Sequence, residues 1–135
     1  MSLPTRLAPS MSPDTQFFWD GLRERRLLVQ RCDGCATLRH PPRPMCPRCH
    51  SLAWTAVASS GRGMILSAVI MRHPQYPWFE TDPVVVLVEL EEGWRLVANL
   101  TGVESVDDVM GARAEVVFED FEGELTLPMF RVVGS

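Results

Sequence analysis

The sequence contains no lysine, so its positive charge comes from 13 arginines alone. No apolar run approaches the roughly 20 residues of a membrane-spanning helix, and the N-terminus lacks the apolar core of a signal peptide. These absences predict a cytoplasmic protein without a membrane anchor. The sequence also lacks a nucleophile elbow, a P-loop, an HExxH motif and a dinucleotide-binding glycine motif, and its three histidines have no triad context. An accessory or binding role is therefore favoured over a self-contained enzyme.

The charges that are present divide the chain into two unlike parts. The chain has 135 residues, of which 46% are hydrophobic and 22% charged, as in a single globular domain. Residues 1–63 hold nine arginines against four acidic residues, whereas residues 64–135 hold four arginines against thirteen acidic residues. We therefore expect two small modules, neither of which could build a large core alone.

Four cysteines lie in the positive part, in two Cys-x-x-Cys pairs separated by ten residues: Cys32, Cys35, Cys46 and Cys49. Two tight turns that face each other bring four thiolates to one point, which predicts a zinc ribbon. Four thiolates leave no position for a water ligand, so the zinc is expected to be structural. Two disulfides are disfavoured by the missing secretory signal, and a redox motif would use one pair; an iron centre of rubredoxin type stays open.

Two histidines and one alanine stand close to the cysteines. The residue after the second cysteine of each pair often has a positive φ and is often glycine, but here it is Ala36 or His50. His40 and His50 could replace a cysteine as metal ligands. Because four thiols already suffice, we expect both histidines to be surface residues.

Arginines are concentrated around the cysteines. Such a cluster suits the phosphates of nucleic acid or of a nucleotide-bearing cofactor, although for any single arginine a solvated surface position is favoured. The cluster consists of Arg23, Arg25, Arg26, Arg31, Arg39, Arg43 and Arg48.

A helix is predicted over residues 12–26, after a flexible, Pro/Ser-rich N-terminal segment at 1–11. Ser12 offers a hydroxyl cap, Pro13 suits the first helical position, and an acidic residue follows near the positive end of the helix dipole. Three consecutive aromatic residues, at positions 17–19, cover too wide an arc for one face. Either one of them points away from the core towards a partner, or the helix is buried on two sides.

The metal ribbon is expected at 27–59 and a barrel at 60–135. Period-two alternation predicts five barrel strands, at 64–71, 84–91, 94–100, 112–120 and 125–133. A capping-box pattern at 105–108 predicts one helical turn between the third and fourth strands. This order is that of an OB-fold, a small and partly open Greek-key barrel.

An unusually long connection at 73–83 joins the first two barrel strands and carries Tyr76, Trp78 and Phe79. OB-folds commonly bind ligands with this loop, so the aromatic residues are expected either to contact a ligand or to plug the open end of the barrel. Nucleic-acid binding is the alternative function. A single-strand binder needs a basic groove, however, and this barrel is the acidic part of the chain.

Six segments between residues 13 and 133 combine into a specific pattern: FFWDGL at 17–22, LLVQRC at 27–32, PPRPMCPRC at 41–49, SGRG at 60–63, VELEEG at 88–93 and LPMFR at 127–131. Together they resemble a family of acyl-CoA-associated proteins. The resemblance implies a mainly β fold with an N-terminal helix, a rubredoxin-like zinc ribbon and a C-terminal OB-fold. The sequence departs from the family at Ala36, where glycine is usual, and in the bulky loop at 76–79.

The resemblance also implies a function. Such proteins are non-catalytic partners of thiolase-like or hydroxymethylglutaryl-CoA-synthase-like enzymes, or of hot-dog hydratases, in lipid, steroid or polyketide-type acyl-CoA metabolism. A coenzyme A ester is the expected ligand, with arginines near its phosphates. The alternative is a single-stranded nucleic-acid-binding protein. The candidate ligand- or partner-binding residues are Phe17, Phe18, Trp19, Arg23, Arg26, Arg43, Arg62, Tyr76, Trp78 and Phe79.

Overall fold

The computed structural model describes residues 12–72, 82–103, 105–121 and 125–133. The predicted N-terminal segment at 1–11 and the aromatic residues Tyr76, Trp78 and Phe79 lie outside the described residues. The described chain forms one helix, α1 (Gln16–Arg23), and eight strands: β1 (Leu28–Cys32), β2 (Leu38–Arg39), β3 (Trp54–Ala58), β4 (Arg62–Ile70), β5 (Val84–Leu90), β6 (Arg95–Leu100), β7 (Arg113–Phe121) and β8 (Leu125–Val132). Within these described ranges, α1 falls well short of the length needed to cross a membrane.

Helix α1 is shorter than the predicted 12–26. Residues 12–15 form a turn instead, because the amides of Thr15 and Gln16 both donate to the carbonyl of Ser12, at 3.0 and 2.9 Å. The expected hydroxyl cap is therefore not made by Ser12. The helix ends because Arg25 adopts a φ of 61°, and the amide of Arg26 then donates to the carbonyl of Gly21 at 2.8 Å.

The three aromatic residues of α1 are all at least partly buried. The ring of Phe17 lies 4.8 Å from that of Trp54 on β3, and the rings of Phe18 and Trp19 meet edge to face at 5.1 Å. Helix α1 is therefore buried on two sides, whereas contact of its aromatic residues with a partner stays a prediction.

Strands β1, β2 and β3 form the ribbon sheet, antiparallel in the order β2-β1-β3. Helix α1 packs directly against this sheet at Gly21. A Cβ at Gly21 would lie 2.8 Å from Cδ1 of Leu28 and 3.1 Å from the carbonyl oxygen of Arg26. A larger residue at this position would therefore require the side chain of Leu28 to move.

Strands β4 to β8 form a closed barrel in the order β4-β5-β6-β8-β7, with a parallel pair between β6 and β8. This arrangement confirms the predicted five-stranded OB-fold. Val84, Val86 and Val88 of β5 alternate into the core, and Phe130 of β8 is fully buried. Removal of these apolar side chains from water is the main force that stabilises the barrel.

The helical turn predicted at 105–108 is wrong: the described residues of this connection form hydrogen-bonded turns and no helix. The hydroxyl of Ser105 does accept the amide of Asp107, at 3.0 Å. The next residue, Asp108, has a φ of 61°, and a right-handed helix cannot pass through this conformation. The capping pattern at 105–108 therefore starts a turn, but the backbone does not continue as a helix.

The carboxylate of Glu92, on the turn between β5 and β6, links the ribbon to the barrel by hydrogen bonds. Glu92 accepts the hydroxyl of Ser59, the amide of Ser60 at 3.0 Å and the indole N–H of Trp94 at 3.2 Å. Desolvation by burial raises the pKa of Glu92, but these hydrogen bonds outweigh it and the net pKa is lowered. The ionised form of Glu92 therefore accepts the hydrogen bonds that link the ribbon to the barrel.

Candidate functional site

The four cysteines form one cluster. Their Sγ atoms all lie within 4.8 Å of one another, and two close pairs are Cys32–Cys49 at 3.4 Å and Cys35–Cys46 at 3.7 Å. Each close pair joins one cysteine from the first turn to one from the second. The two Cys-x-x-Cys turns therefore face each other, as their spacing predicts.

The local backbone explains how each turn presents its sulfur atoms. The amides of Ala36 and His50 donate to the carbonyls of Cys32 and Cys46 at 2.8 and 2.9 Å, closing two similar turns. Ala36 and His50 have φ values of 63° and 65°, which confirms the positive φ expected there. The alanine accepts a conformation that glycine would adopt more easily.

Backbone amides also point at the sulfur atoms. The amide of Gly34 lies 3.3 Å from Sγ of Cys32, and the amide of Arg48 lies 3.4 Å from Sγ of Cys46. Hydrogen bonds from the backbone amides of Cys49 and Arg48 lower the pKa of Cys46. At Cys35, hydrogen bonding with the hydroxyl of Thr37, 3.1 Å away, is the largest factor that lowers the pKa to about 6.

This donor set fits a divalent metal. All four cysteines are free, their sulfur atoms converge, and soft thiolates in a set of four suit zinc in tetrahedral coordination. In the described chain the cluster contains no histidine. Zinc held here would have a closed coordination sphere and would act by holding the ribbon together.

A buried polar network lies beside the cluster, at the tip of the ribbon. The amide side chain of Gln30 donates to the carbonyl of Arg43 and accepts its N–H, both at 2.9 Å. Arg39 donates to the same carbonyl from Nε at 3.1 Å and from Nη2 at 2.8 Å. Gln30 and Arg39 are 1% and 7% exposed, so the interpretation of Arg39 as one of a cluster of surface arginines is wrong.

An apolar cavity of about 320 Å³ lies where α1, the ribbon tip and the barrel meet. Strands β6 and β8 pair only through Asn99–Met129 and Leu100–Phe130, and the cavity opens where they separate. Its wall includes residues from all three parts of the molecule, among them Phe18, Trp19, His40, Pro42, Val97 and Met129.

His40 belongs to this cavity, and the surface position predicted for it is wrong. Its ring packs 5.1 Å from that of Phe18 and 5.4 Å from that of Trp94. Burial lowers its pKa from 6.5 to about 4, so the imidazole is neutral at neutral pH. Its burial depends on contacts with α1 and the barrel, which are distant in sequence.

The candidate arginines are dispersed. Arg26 lies 4.0 Å from the carboxylate of Glu24, and Arg62 lies 3.5 Å from that of Glu91. Arg23 is exposed and borders a groove with Asp120, away from the cavity. Arg43 is exposed, follows Pro42 of the cavity wall, and forms no ion pair within the described ranges.

Phe18 and Trp19 are thus the predicted candidates that the structure brings to the cavity. Phe17 lies against Trp54 instead. Sequence reasoning missed the remaining wall, including His40, Pro42 and Met129. The proline-rich ribbon tip was the available signal, but nothing local in the sequence showed what the tip would pack against.

Two family descriptions match the chain. The ChsH2 rubredoxin-like zinc ribbon domain matches residues 19–55, and the ChsH2 C-terminal OB-fold domain matches residues 56–119. A probable enoyl-CoA hydratase alpha subunit of Thermomonospora curvata is 43% identical over 126 residues, which are 93% of this chain and 40% of that protein. The chain therefore spans well under half the length of this relative.

This chain covers a larger share of the length of two further relatives. A DUF35 domain-containing scaffold protein of Pyrococcus furiosus is 34% identical over 103 residues, 74% of each chain. A solved structure titled Ltp2-ChsH2(DUF35) aldolase superposes with a TM-score of 0.87 at 42% identity, over 93% of this chain and 98% of that chain. On these matches, the chain belongs to the ChsH2 (DUF35) family of zinc-ribbon and OB-fold proteins.

Proposed function

We propose that the chain is a non-catalytic accessory subunit of a thiolase-like or hydratase enzyme and that it binds the acyl-CoA on which that enzyme acts. The observation that carries this proposal is the apolar cavity between α1, the ribbon tip and the barrel. Arg43, the residue after Pro42 of the cavity wall, is exposed and forms no ion pair within the described ranges. A coenzyme A ester combines an apolar acyl group, which suits the apolar cavity, with a phosphate-bearing nucleotide, which suits an exposed arginine.

The two ends of such a ligand need different surroundings. An acyl group gains free energy when apolar walls such as those formed by Phe18, Pro42 and Met129 remove it from water. Phosphates are bound best by guanidinium groups that are not already paired with carboxylates. The exposed ribbon arginines Arg43 and Arg48 make no ion pair in the part of the chain that the structure describes.

The cavity offers little for catalysis. Among its lining residues in the described ranges, His40 is the titratable group, and its pKa of about 4 leaves it a partly buried, neutral imidazole. No carboxylate or thiol accompanies it in that lining. A general acid–base role needs a pKa closer to the working pH and a reacting group within hydrogen-bond reach. The chemistry is therefore assigned to the partner.

The partner is proposed from the chemistry and from the relatives. The names of the similar proteins are an enoyl-CoA hydratase alpha subunit, a scaffold protein and an aldolase. All three names are compatible with a chain that supports a catalytic subunit. We further propose that the four-cysteine cluster binds one structural zinc, which keeps the ribbon tip and its cavity wall in place.

The test is calorimetric titration of acyl-CoA and of free coenzyme A into the chain, alone and mixed with a thiolase-like or hot-dog hydratase subunit. Val97→Trp, on the cavity wall, should weaken acyl-CoA binding about tenfold or more and leave free coenzyme A binding unchanged. The matched control is Val69→Trp, because Val69 is similarly exposed (59% against 62%) on another barrel strand.

Arg43→Gln should weaken the binding of both ligands, because it removes a phosphate contact and leaves the cavity unchanged. The proposal is overturned if the chain, with or without these subunits, binds neither ligand and co-purifies with neither subunit. Salt-sensitive binding of single-stranded oligonucleotides in a gel shift would then favour the nucleic-acid alternative.

A further inference from the structure

We propose that Arg39 is the buried counter-charge of the metal–thiolate centre, and that it stabilises the charge of the bound zinc site while it holds the ribbon tip. This inference rests on the proposed zinc and is independent of acyl-CoA binding. Arg39 acts through the thiolates and is therefore a positioning residue for the centre.

The first observation is that the positive charge of Arg39 is buried and has no carboxylate partner within the described ranges. Arg39 is 7% exposed, and Nε and Nη2 both donate to the carbonyl of Arg43, whereas Nη1 is buried with no hydrogen-bond partner within the described ranges. No carboxylate of those ranges forms an ion pair with it. A buried charge without a partner is costly, so a stable fold needs negative charge nearby.

The second observation is where the guanidinium lies. Arg39 is paired with Gln30 across β1 and β2, and Gln30 and Cys32 are two residues apart on β1, so the three side chains project to one face of the sheet. Gln30 and Cys32 are both buried. The carbonyl that Arg39 contacts belongs to Arg43, three residues before Cys46. Arg39 thus faces Gln30, two residues before Cys32, and contacts Arg43, three residues before Cys46.

The third observation is that the ribbon has no other strong source of negative charge. Its single acidic residue over 27–59 is Asp33, whose carboxylate accepts the hydroxyl of Thr55 at 2.7 Å. Four thiolates around a divalent cation leave a double negative charge, the largest local charge in the ribbon. A buried guanidinium on the same face offsets part of this charge and so favours bound metal.

The experiment measures zinc affinity of the full chain by competition with a chromophoric chelator, and the sulfur-to-cobalt charge-transfer band of the Co²⁺-loaded chain. Arg39→Gln should weaken zinc binding by about 10–100-fold, the usual effect of losing a residue that supports the ligands. Arg39→Lys keeps the charge and should restore most of the affinity. Arg31→Gln is the matched control, because Arg31 lies on β1 but is exposed.

A second variant separates charge from hydrogen bonding. Gln30→Met breaks the network at the Arg43 backbone and keeps the cation, so its zinc affinity should stay closer to wild type than that of Arg39→Gln. The proposal is overturned if Arg39→Gln binds zinc like wild type, or if Arg39→Lys or Gln30→Met loses as much affinity as Arg39→Gln. Failure of wild type to bind zinc would overturn the metal assignment as well, whereas acyl-CoA binding would still be measured separately.

Discussion

The imidazole of His40 packs against the ring of Phe18, with ring centroids 5.1 Å apart and ring planes tilted by 44°. The contact joins the ribbon tip to α1. The same imidazole lies 5.4 Å from the indole of Trp94, which precedes β6 of the barrel. One ribbon residue thus contacts both other parts of the molecule at the edge of the cavity.

The burial of His40 predicts a pH-dependent stability. Its pKa is about 4 when folded and 6.5 when free, so between these values the unfolded chain binds more protons and stability falls as the pH falls. From pH 7 to pH 5 this group should cost about 2 kcal/mol of unfolding free energy. Urea titrations of wild type and His40→Gln at both pH values measure the difference.

The cysteines are common to both proteins in this experiment, so any loss of metal at low pH cancels in the comparison. Parallel stability curves for wild type and His40→Gln would show that the imidazole is not held neutral by burial.

The ion pair between Arg25 and Asp120 predicts a second pH effect, at lower pH. Arg25 donates to both carboxylate oxygens and so joins the end of α1 to β7; together with a hydrogen bond from Thr126 it lowers the pKa of Asp120 from 3.8 to about 2. A carboxyl with a lowered folded pKa stabilises the fold above its free pKa, and this contribution is lost as the pH falls towards 2.

Asp120→Asn should therefore lower the melting temperature at pH 7, and the difference from wild type should shrink below about pH 4 and vanish near pH 2. Thermal unfolding followed by circular dichroism over this range measures it. Asp107→Asn is the control, since Asp107 is an exposed turn residue that forms no ion pair within the described chain. A constant difference at every pH would rule out the ion pair as the cause.

The parts of this fold that follow from the sequence are those with local causes. Cys-x-x-Cys spacing determines two tight turns, so the cluster and the positive φ at Ala36 and His50 could be predicted from a few residues. Alternation along β5 likewise reflects a period-two backbone with one face in the core. The predicted barrel strands agree with the observed ones to within two residues at each end.

The parts that could not be predicted depend on which elements meet. His40 and Arg39 resemble surface residues because histidine and arginine are usually exposed, and their burial is imposed by α1, the barrel and the Arg43 backbone. The cavity has the same origin, since its walls come from elements distant in the chain. The capping pattern at 105–108 predicts a helical turn, but the left-handed backbone at Asp108 ends that turn.

Removal of the metal should loosen the ribbon and spare the barrel. Barrel residues such as Ile65, Val88 and Phe130 make up most of the buried core, to which β1 contributes Val29, whereas the turns at Ala36 and His50 depend on the four-cysteine cluster. Hydrogen exchange with and without a zinc chelator measures both. The amides of Ala36 and His50 should lose protection, and those of β5 should keep it.

Cys46→Ser should reproduce this pattern without chelator, because Cys46 is fully buried and supplies one of the four sulfur atoms. Ser67→Ala, on the exposed side of β4, is the control. Equal loss of protection in ribbon and barrel would mean that the two modules unfold as one unit and that the metal stabilises the whole chain.

The contact of Gly21 with Leu28 predicts a non-additive pair of mutations. Gly21→Ala improves intrinsic helix propensity by about 1 kcal/mol, but its Cβ would stand 2.8 Å from Cδ1 of Leu28, so a net loss of about 1–2 kcal/mol is expected. Leu28→Ala alone should cost about 2–5 kcal/mol through the space it leaves. In the double mutant the new methyl group enters that space, so the combined loss should be at least about 1 kcal/mol smaller than the sum. Urea unfolding of wild type, the two single mutants and the double mutant gives the coupling energy. Simple additivity would mean that α1 shifts away from β1 without resistance. The contact of Gly21 with Leu28 would then not fix the cavity wall formed by Phe18 and Trp19.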